Sequence, residues 1–284
     1  MRTSGLGRFQ LGQSVPDRPH AVCVSLPEVS DLIGYEERHP VTLDAMQSGY
    51  PRFVRHPTIQ RMIEVLQGDR LDAGSGYLFT RAVDCEEALS RYEIRKCEVI
   101  RYDDFTLLEL PLECPKNSLV SAHFQHTGCG ISSRLAEEFL WNRGLLEERE
   151  EVPACENSES IIRKILGQAH GCPVQENDLI LTSSGANAFQ AIFGAAHDLL
   201  RKKGKTIWLR WGWLYLDTIE VMNLYAGEDT KVVSIHQVGD ERRLEEFFLS
   251  YGDRIAGVVT EFPTNPLLQS GNLEKLRSLC DDHD

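Results

Sequence analysis

From Asp178 to Asp282 the sequence alternates short apolar runs with amphipathic stretches, and this restricts the possible folds more than any other feature. Asp178-Leu179-Ile180-Leu181-Thr182, Thr206-Ile207-Trp208-Leu209-Arg210, Lys231-Val232-Val233-Ser234-Ile235 and Ile255 to Glu261 read as strands. Ala186 to Lys203, Leu214 to Tyr225, Glu241 to Tyr251 and Leu273 to about Asp282 read as helices. In the first helix Phe189, Ile192, Phe193, Ala196, Leu199 and Leu200 fall on one face at helical spacing. Arg201, Lys202 and Lys203 suit its C-terminal dipole, and Gly204 ends it. Strand–helix repetition of this kind predicts an α/β fold, a parallel sheet covered on both faces.

The first half reads differently. Residues 1–60 are rich in Pro, Gly and His and lack periodicity. Gly76 to Thr80, Cys97 to Arg101 and Leu119 to Phe124 are expected as strands, and Val83 to Tyr92 as a helix. Leu145 to Glu151 is an acidic stretch expected to be a solvated linker. Asn157 to Gly171 is expected to form a helix with Ile161, Ile162, Ile165 and Leu166 inward.

A net charge of −13 repels phosphate backbones and argues against a nucleic-acid partner. No run of 18 apolar residues is present, so no membrane span is expected, and the N-terminus has no secretory h-region. The eight cysteines are scattered without a CxxC pair and read as free cytosolic thiols. Gly5-x-Gly7 and Gly74-x-Gly76 lack the third glycine and following helix of a dinucleotide fingerprint. His123-x-x-His126-x-x-Cys129 lacks a fourth ligand at zinc spacing.

Two segments carry candidate chemistry. Ser183-Ser184-Gly185-Ala186-Asn187 follows a strand and opens a helix. Helix N-terminal amides lack internal partners and attract phosphate, although a serine N-cap is common without any ligand. Glu261-Phe262-Pro263-Thr264-Asn265-Pro266 follows the last strand. In open parallel sheets ligands gather beyond the carboxyl ends of strands, although an ordinary loop would read the same way. Trp211-Gly212-Trp213-Leu214-Tyr215 lies between them.

Taken together these segments resemble the pyridoxal-phosphate (PLP) enzymes of trans-sulfuration, the cystathionine γ-synthase group. Pro16 to Pro27, Ile33 to Glu37, Met46 to Phe53 and Gln125 to Arg134 resemble the fungal-type members, which carry an N-terminal extension. The resemblance implies fold type I, incomplete here, preceded by an α+β extension: residues 1–117 as the extension and 118–284 as the start of the PLP-binding domain. It implies that Ser184, Gly185 and Ala186 cradle the PLP phosphate, with Ala186 where the family usually has Met. It implies that Trp213, or alternatively Tyr215, stacks on the PLP ring. Asn265 would bond near the ring hydroxyl and, with Glu261, serve the substrate. His126 or Arg134 would reach a neighbouring subunit's phosphate, with Arg52 as an alternative.

The implied reaction joins an O-acetyl- or O-succinylhomoserine to cysteine in a cytoplasmic homo-oligomer, a dimer or tetramer. A γ-lyase or sulfhydrylase of the same superfamily is the neighbouring possibility. The family's Schiff-base lysine is expected downstream of Asp284, with its pyridine-nitrogen aspartate. Lys202, Lys203, Lys205 and Lys275 are not placed to replace that lysine, so the chain by itself is expected to be inactive or a non-catalytic remnant.

Overall fold

In the computed structural model the described residues are 9–47, 54–68, 74–151, 153, 155–265 and 267–283. Arg52 and Pro266 lie outside them. The chain divides into two compact units, Met1–Gln125 with Cys129–Ser183, and His126–Gly128 with Ser184–Asp284.

The first unit begins with a two-stranded ribbon, β1 (Ser14–Val15) and β2 (Cys23–Val24). Three helices follow: α1 (Val29–Glu36), α2 (Pro40–Asp44) and α3 (Pro57–Gln67). Pro40 and Pro57 occupy the first helical position, where a missing N–H costs nothing. Next come β3 (Ser75–Phe79), α4 (Ala82–Arg91), β4 (Glu98–Arg101) and β5 (Thr106–Leu110). The strands form an antiparallel sheet in the order β3-β5-β4. α5 (Asn117–Thr127), α6 (Ser133–Trp141) and α7 (Ser158–His170) complete this part of the chain.

Successive strand residues face opposite sides, so this sheet has two cores. Leu78 and Leu107 pack with Met62 and Ile63 of α3 and with Ala136, Phe139 and Leu140 of α6. Tyr77, Phe79, Leu108 and Leu110 pack with Cys85 and Ala88 of α4 and with Val120 and Phe124 of α5. Burial pushes the Cys85 thiol up to about 11, which leaves it protonated and unreactive at neutral pH.

Several expectations for this unit are corrected. Leu119 to Phe124 is helix, not strand: Val120, His123 and Thr127 are the buried positions, and their spacing of three and four is helical. Asp178 to Thr182 is not a strand. Glu176–Asp178 forms a single 3-10 turn, and Ile180 and Leu181 are exposed. A strand needs a neighbour for its N–H and C=O groups, and none of the described strands pairs with this segment. Ile161 and Ile165 of α7 face outward rather than inward. Leu145 to Glu151 is not a free linker, because Leu145 and Leu146 pack on the α3–α6 core and Glu150 pairs with Arg134 at 2.9 Å.

The second unit matches the strand–helix alternation closely. It contains α8 (Gly185–Arg201), β6 (Ile207–Trp211), α9 (Leu216–Tyr225), β7 (Lys231–Ile235), α10 (Glu241–Tyr251), β8 (Ile255–Thr260) and α11 (Leu273–Asp281). All strand pairs are parallel, in the order β7-β6-β8. Ile207, Leu209 and Trp211 pack with Leu244, Phe247 and Phe248 of α10 and with Leu276 and Leu279 of α11. Trp208 points the other way, onto Phe193 of α8 and Val221 and Met222 of α9. Burying each such side chain contributes roughly 1.5–3 kcal/mol. Ile192 and Leu199, expected on the inward face of α8, are exposed. The sheet meets a narrower stripe, made by Phe189, Phe193, Ala196 and Leu200.

His197 of α8 is buried beside the Phe193 and Tyr225 rings, and its Nδ1 has no partner among the described residues. Burial holds its pKa below the usual 6.5, outweighing the opposing pull of Asp198. A depressed imidazole pKa contributes stability that is present above the unfolded value and lost as pH falls through the folded value. Thermal unfolding should therefore show a midpoint that drops as pH falls below about 6.5. His197→Phe should remove part of that drop, and an unchanged pH dependence in the variant would contradict the assignment.

Candidate active site at the strand tips

The C-terminal edge of the parallel sheet is tied together strand by strand. After β6 the chain turns at Gly212, whose φ is +89° and whose N–H bonds to the Ile235 carbonyl at the end of β7, 2.7 Å away. On the other side the Thr260 hydroxyl at the end of β8 donates to the Trp211 carbonyl at 2.8 Å. The Glu261 carboxylate accepts the N–H of Tyr215, the residue that caps α9. Thr264 is fully buried, and its turn is closed by Thr264 N–H to Gln269 O at 2.9 Å and Gln269 N–H to Thr264 Oγ1 at 3.0 Å. Gly271 lies against Trp211, so close that a Cβ there would come 2.3 Å from the indole.

α8 delivers its N-terminus to this same edge. It ends at Lys202, turns through Gly204 and enters β6 at Ile207, while its Phe193 packs on Trp208. A helix joined by a tight turn to a strand it packs on runs antiparallel to that strand. Seventeen residues span about 25 Å, more than the five-residue strand, so the first turn of α8 reaches the tips. Ser184 caps it: Oγ accepts from Asn187 N–H at 3.1 Å and donates to the Gly128 carbonyl at 3.0 Å. The Gly185 and Ala186 amides have no partner among the described residues, and nothing lies within 4 Å of where a Gly185 Cβ would stand.

The other expected residues fall as follows. Trp213 follows the tip of β6, is 45% exposed, and leans on His236 beyond β7 with ring centroids 5.3 Å apart. Tyr215 is half-buried at the cap of α9. Asn265 is exposed on the turn after β8. His126 bonds through Nδ1 to the buried Asp217 in the first turn of α9, at 2.9 Å. Arg134 belongs to the first unit, where it is paired with Glu150. Among the described residues no three His, Cys, Asp or Glu side chains converge as a metal site would require. Asp217 and His236 escaped the sequence reading. Asp217 had only the weak signal of an acid in a helix's first turn, and His236 had none.

Among known proteins, the chain is 31% identical over 271 residues to the L-2-amino-4-chloropent-4-enoate dechlorinase/desaturase of Streptantibioticus cattleyicolor, covering 94% of this chain and 53% of that protein. It is 32% identical over 175 residues to the cystathionine gamma-synthase of Neurospora crassa, 51% of this chain and 28% of that one. A cystathionine gamma-synthase-like enzyme of Amanita muscaria is 24% identical, covering 95% of this chain and 58% of its own. The chain is similar to cystathionine γ-synthase-like enzymes. It spans about half the length of the first of these relatives. No protein family's profile matches it. No solved structure matches it.

The strand-tip edge thus presents two amides at a positive helix end, without partners among the described residues, and an exposed indole. The turn at Gly212 should be the most sensitive point of the edge. In Gly212→Ala a Cβ would meet Val238 and Thr264 methyls at 2.6 and 2.7 Å, at a φ of +89°. A loss of about 2–4 kcal/mol in denaturant unfolding is expected. Gly239→Ala, with nothing within 4 Å, should be neutral, and equal losses would refute the packing argument.

Proposed function

We propose that this chain provides the phosphate cradle and ring-stacking surface of a PLP enzyme acting on an L-amino acid with a leaving group on its γ-carbon. The observation that carries the reading is the first turn of α8, two amides at the strand-tip edge without a partner among the described residues. Bound PLP supplies an electron sink for charge released at the amino acid's α-carbon. Gly185 and Ala186 donate to the phosphate, and Ser184 fixes the turn that aims them. Trp213 lies against the ring and shields one face from water. Asn265 and Glu261 serve the ring hydroxyl and the substrate, with Glu261 also holding the α9 cap through Tyr215.

The reaction also needs a lysine beside the ring. Lys202, Lys203 and Lys205 sit past the C-terminus of α8, at the opposite end of the sheet, and Lys275 pairs with Glu245. The reading therefore assigns binding and positioning to these residues and expects no turnover from them alone. The enzyme is proposed as a cytoplasmic homo-oligomer. Among the described residues no helix is long and apolar enough to cross a membrane.

Two outcomes at the γ-carbon fit. One is replacement, joining O-acetyl- or O-succinylhomoserine to cysteine. The other is elimination, suggested by the dechlorinase/desaturase, whose similarity runs along 94% of this chain against 51% for the Neurospora cystathionine gamma-synthase. Both remove a group from carbon 4 of an amino acid.

Gly185→Pro tests the cradle. Proline is tolerated at the first position of a helix, and Ser184 already has the extended backbone that a following proline demands. The variant loses one amide donor and keeps the helix. A hydrogen bond to a charged group is worth about 1.5–3 kcal/mol, so PLP affinity read by indole fluorescence should fall about tenfold or more. Binding of pyridoxal without phosphate should not change. Equal PLP affinity in both proteins would contradict the reading.

A further inference from the structure

We infer that His126 and Asp217 are positioning residues, forming a clamp that fixes the first turn of α8. The inference rests on the proposed phosphate cradle for its functional meaning and on geometry for its existence. Residues 126–128 belong to the same compact unit as α8 and α9, although more than fifty residues separate them in sequence from either helix. This short segment is held at both ends. At one end the His126 ring bonds to the Asp217 carboxylate, 2.9 Å away. At the other end the Gly128 carbonyl accepts the Ser184 hydroxyl at 3.0 Å.

The two attachments differ in kind. Asp217 has 2% side-chain exposure and lies in the first turn of α9, where a carboxylate is favoured by the helix dipole. His126 is 17% exposed and supplies the matching ring. A buried carboxylate that holds one imidazole nitrogen fixes the ring's orientation and its place. Gly128 makes the second attachment possible. Its φ is +60°, and a Cβ would stand 2.2 Å from Ser184 Oγ, 2.9 Å from Ala186 Cβ and 3.1 Å from the Asn187 nitrogen. Only a glycine lets the backbone lie this close to the residues that carry the free amides.

Each jaw needs the other. The Ser184 hydroxyl is the group that caps Asn187, so where Gly128 sits decides how that cap points. Two residues upstream, the His126–Asp217 bond holds the last turn of α5, from which the chain enters Gly128. The clamp thus links the N-terminal turns of both helices that flank β6, and sets the direction of the Gly185 and Ala186 N–H groups.

Hydrogen exchange at the Asn187 and Ala188 amides, which bond to the Ser184 side chain and carbonyl, reads the clamp without any ligand. In His126→Ala these two amides should exchange at least about tenfold faster, with Leu209 of β6 and Leu244 of α10 unchanged. His126→Gln, which can still donate to Asp217, should recover part of the protection. Gly128→Ala, acting at the other jaw, should reproduce the same local loss if His126→Ala proves too unstable to measure. Unchanged exchange at Asn187 and Ala188 in both variants, or an equal rise throughout the unit, would overturn the inference. PLP titration of the same proteins separates the two claims. If the original chain binds PLP, His126→Ala should weaken it about tenfold. If the original chain does not bind PLP, the cradle reading fails while the exchange data still judge the clamp.

Discussion

The burial of β6 between two helical layers is the constraint on which the second unit depends. Ile207, Leu209 and Trp211 face one layer and Trp208 the other, and all four are nearly inaccessible. A strand buried on both faces and paired on both edges cannot shift register without exposing its whole apolar set. Its end is therefore a fixed point, and Gly212, Thr260 and Glu261 use that point to anchor the neighbouring tips. Chemistry placed at such an edge inherits the rigidity of the core beneath it.

The same constraint decides where the first turn of α8 arrives. α8 is aimed by its packing on Trp208 and by the turn at Gly204, so its N-terminus arrives at the edge. Ser184, Gly128, His126 and Asp217 then bear only on its first turn. The indole of Trp213 follows directly from the end of β6 and leans on His236 beyond β7.

The second unit was largely legible in the sequence because each of its elements buries one stripe or one short run. Glu241 to Tyr251 and Lys231 to Ile235 appear in the structure with the expected bounds. The first unit was less legible. Thr106 to Leu110 is buried at every position, so no alternation marked it as the central strand β5. Leu119 to Phe124 had a strand's composition, while the residues that decide its fold, Val120, His123 and Thr127, are spaced for a helix. At the candidate site, Ser184, Gly185 and Trp213 stand out in the sequence through glycine and aromatic chemistry. The His126–Asp217 bond was not, because 91 residues separate its partners and neither residue type is unusual where it stands.

The most direct test of the account is a titration of the chain with PLP followed by backbone amide and indole NMR signals. The account predicts that the Gly185 and Ala186 amides and the Trp213 indole shift together with one saturation curve, and that inorganic phosphate moves the two amides alone. Shifts confined to other parts of the chain, or saturation of Trp213 without Gly185 and Ala186, would contradict a phosphate cradle at the first turn of α8.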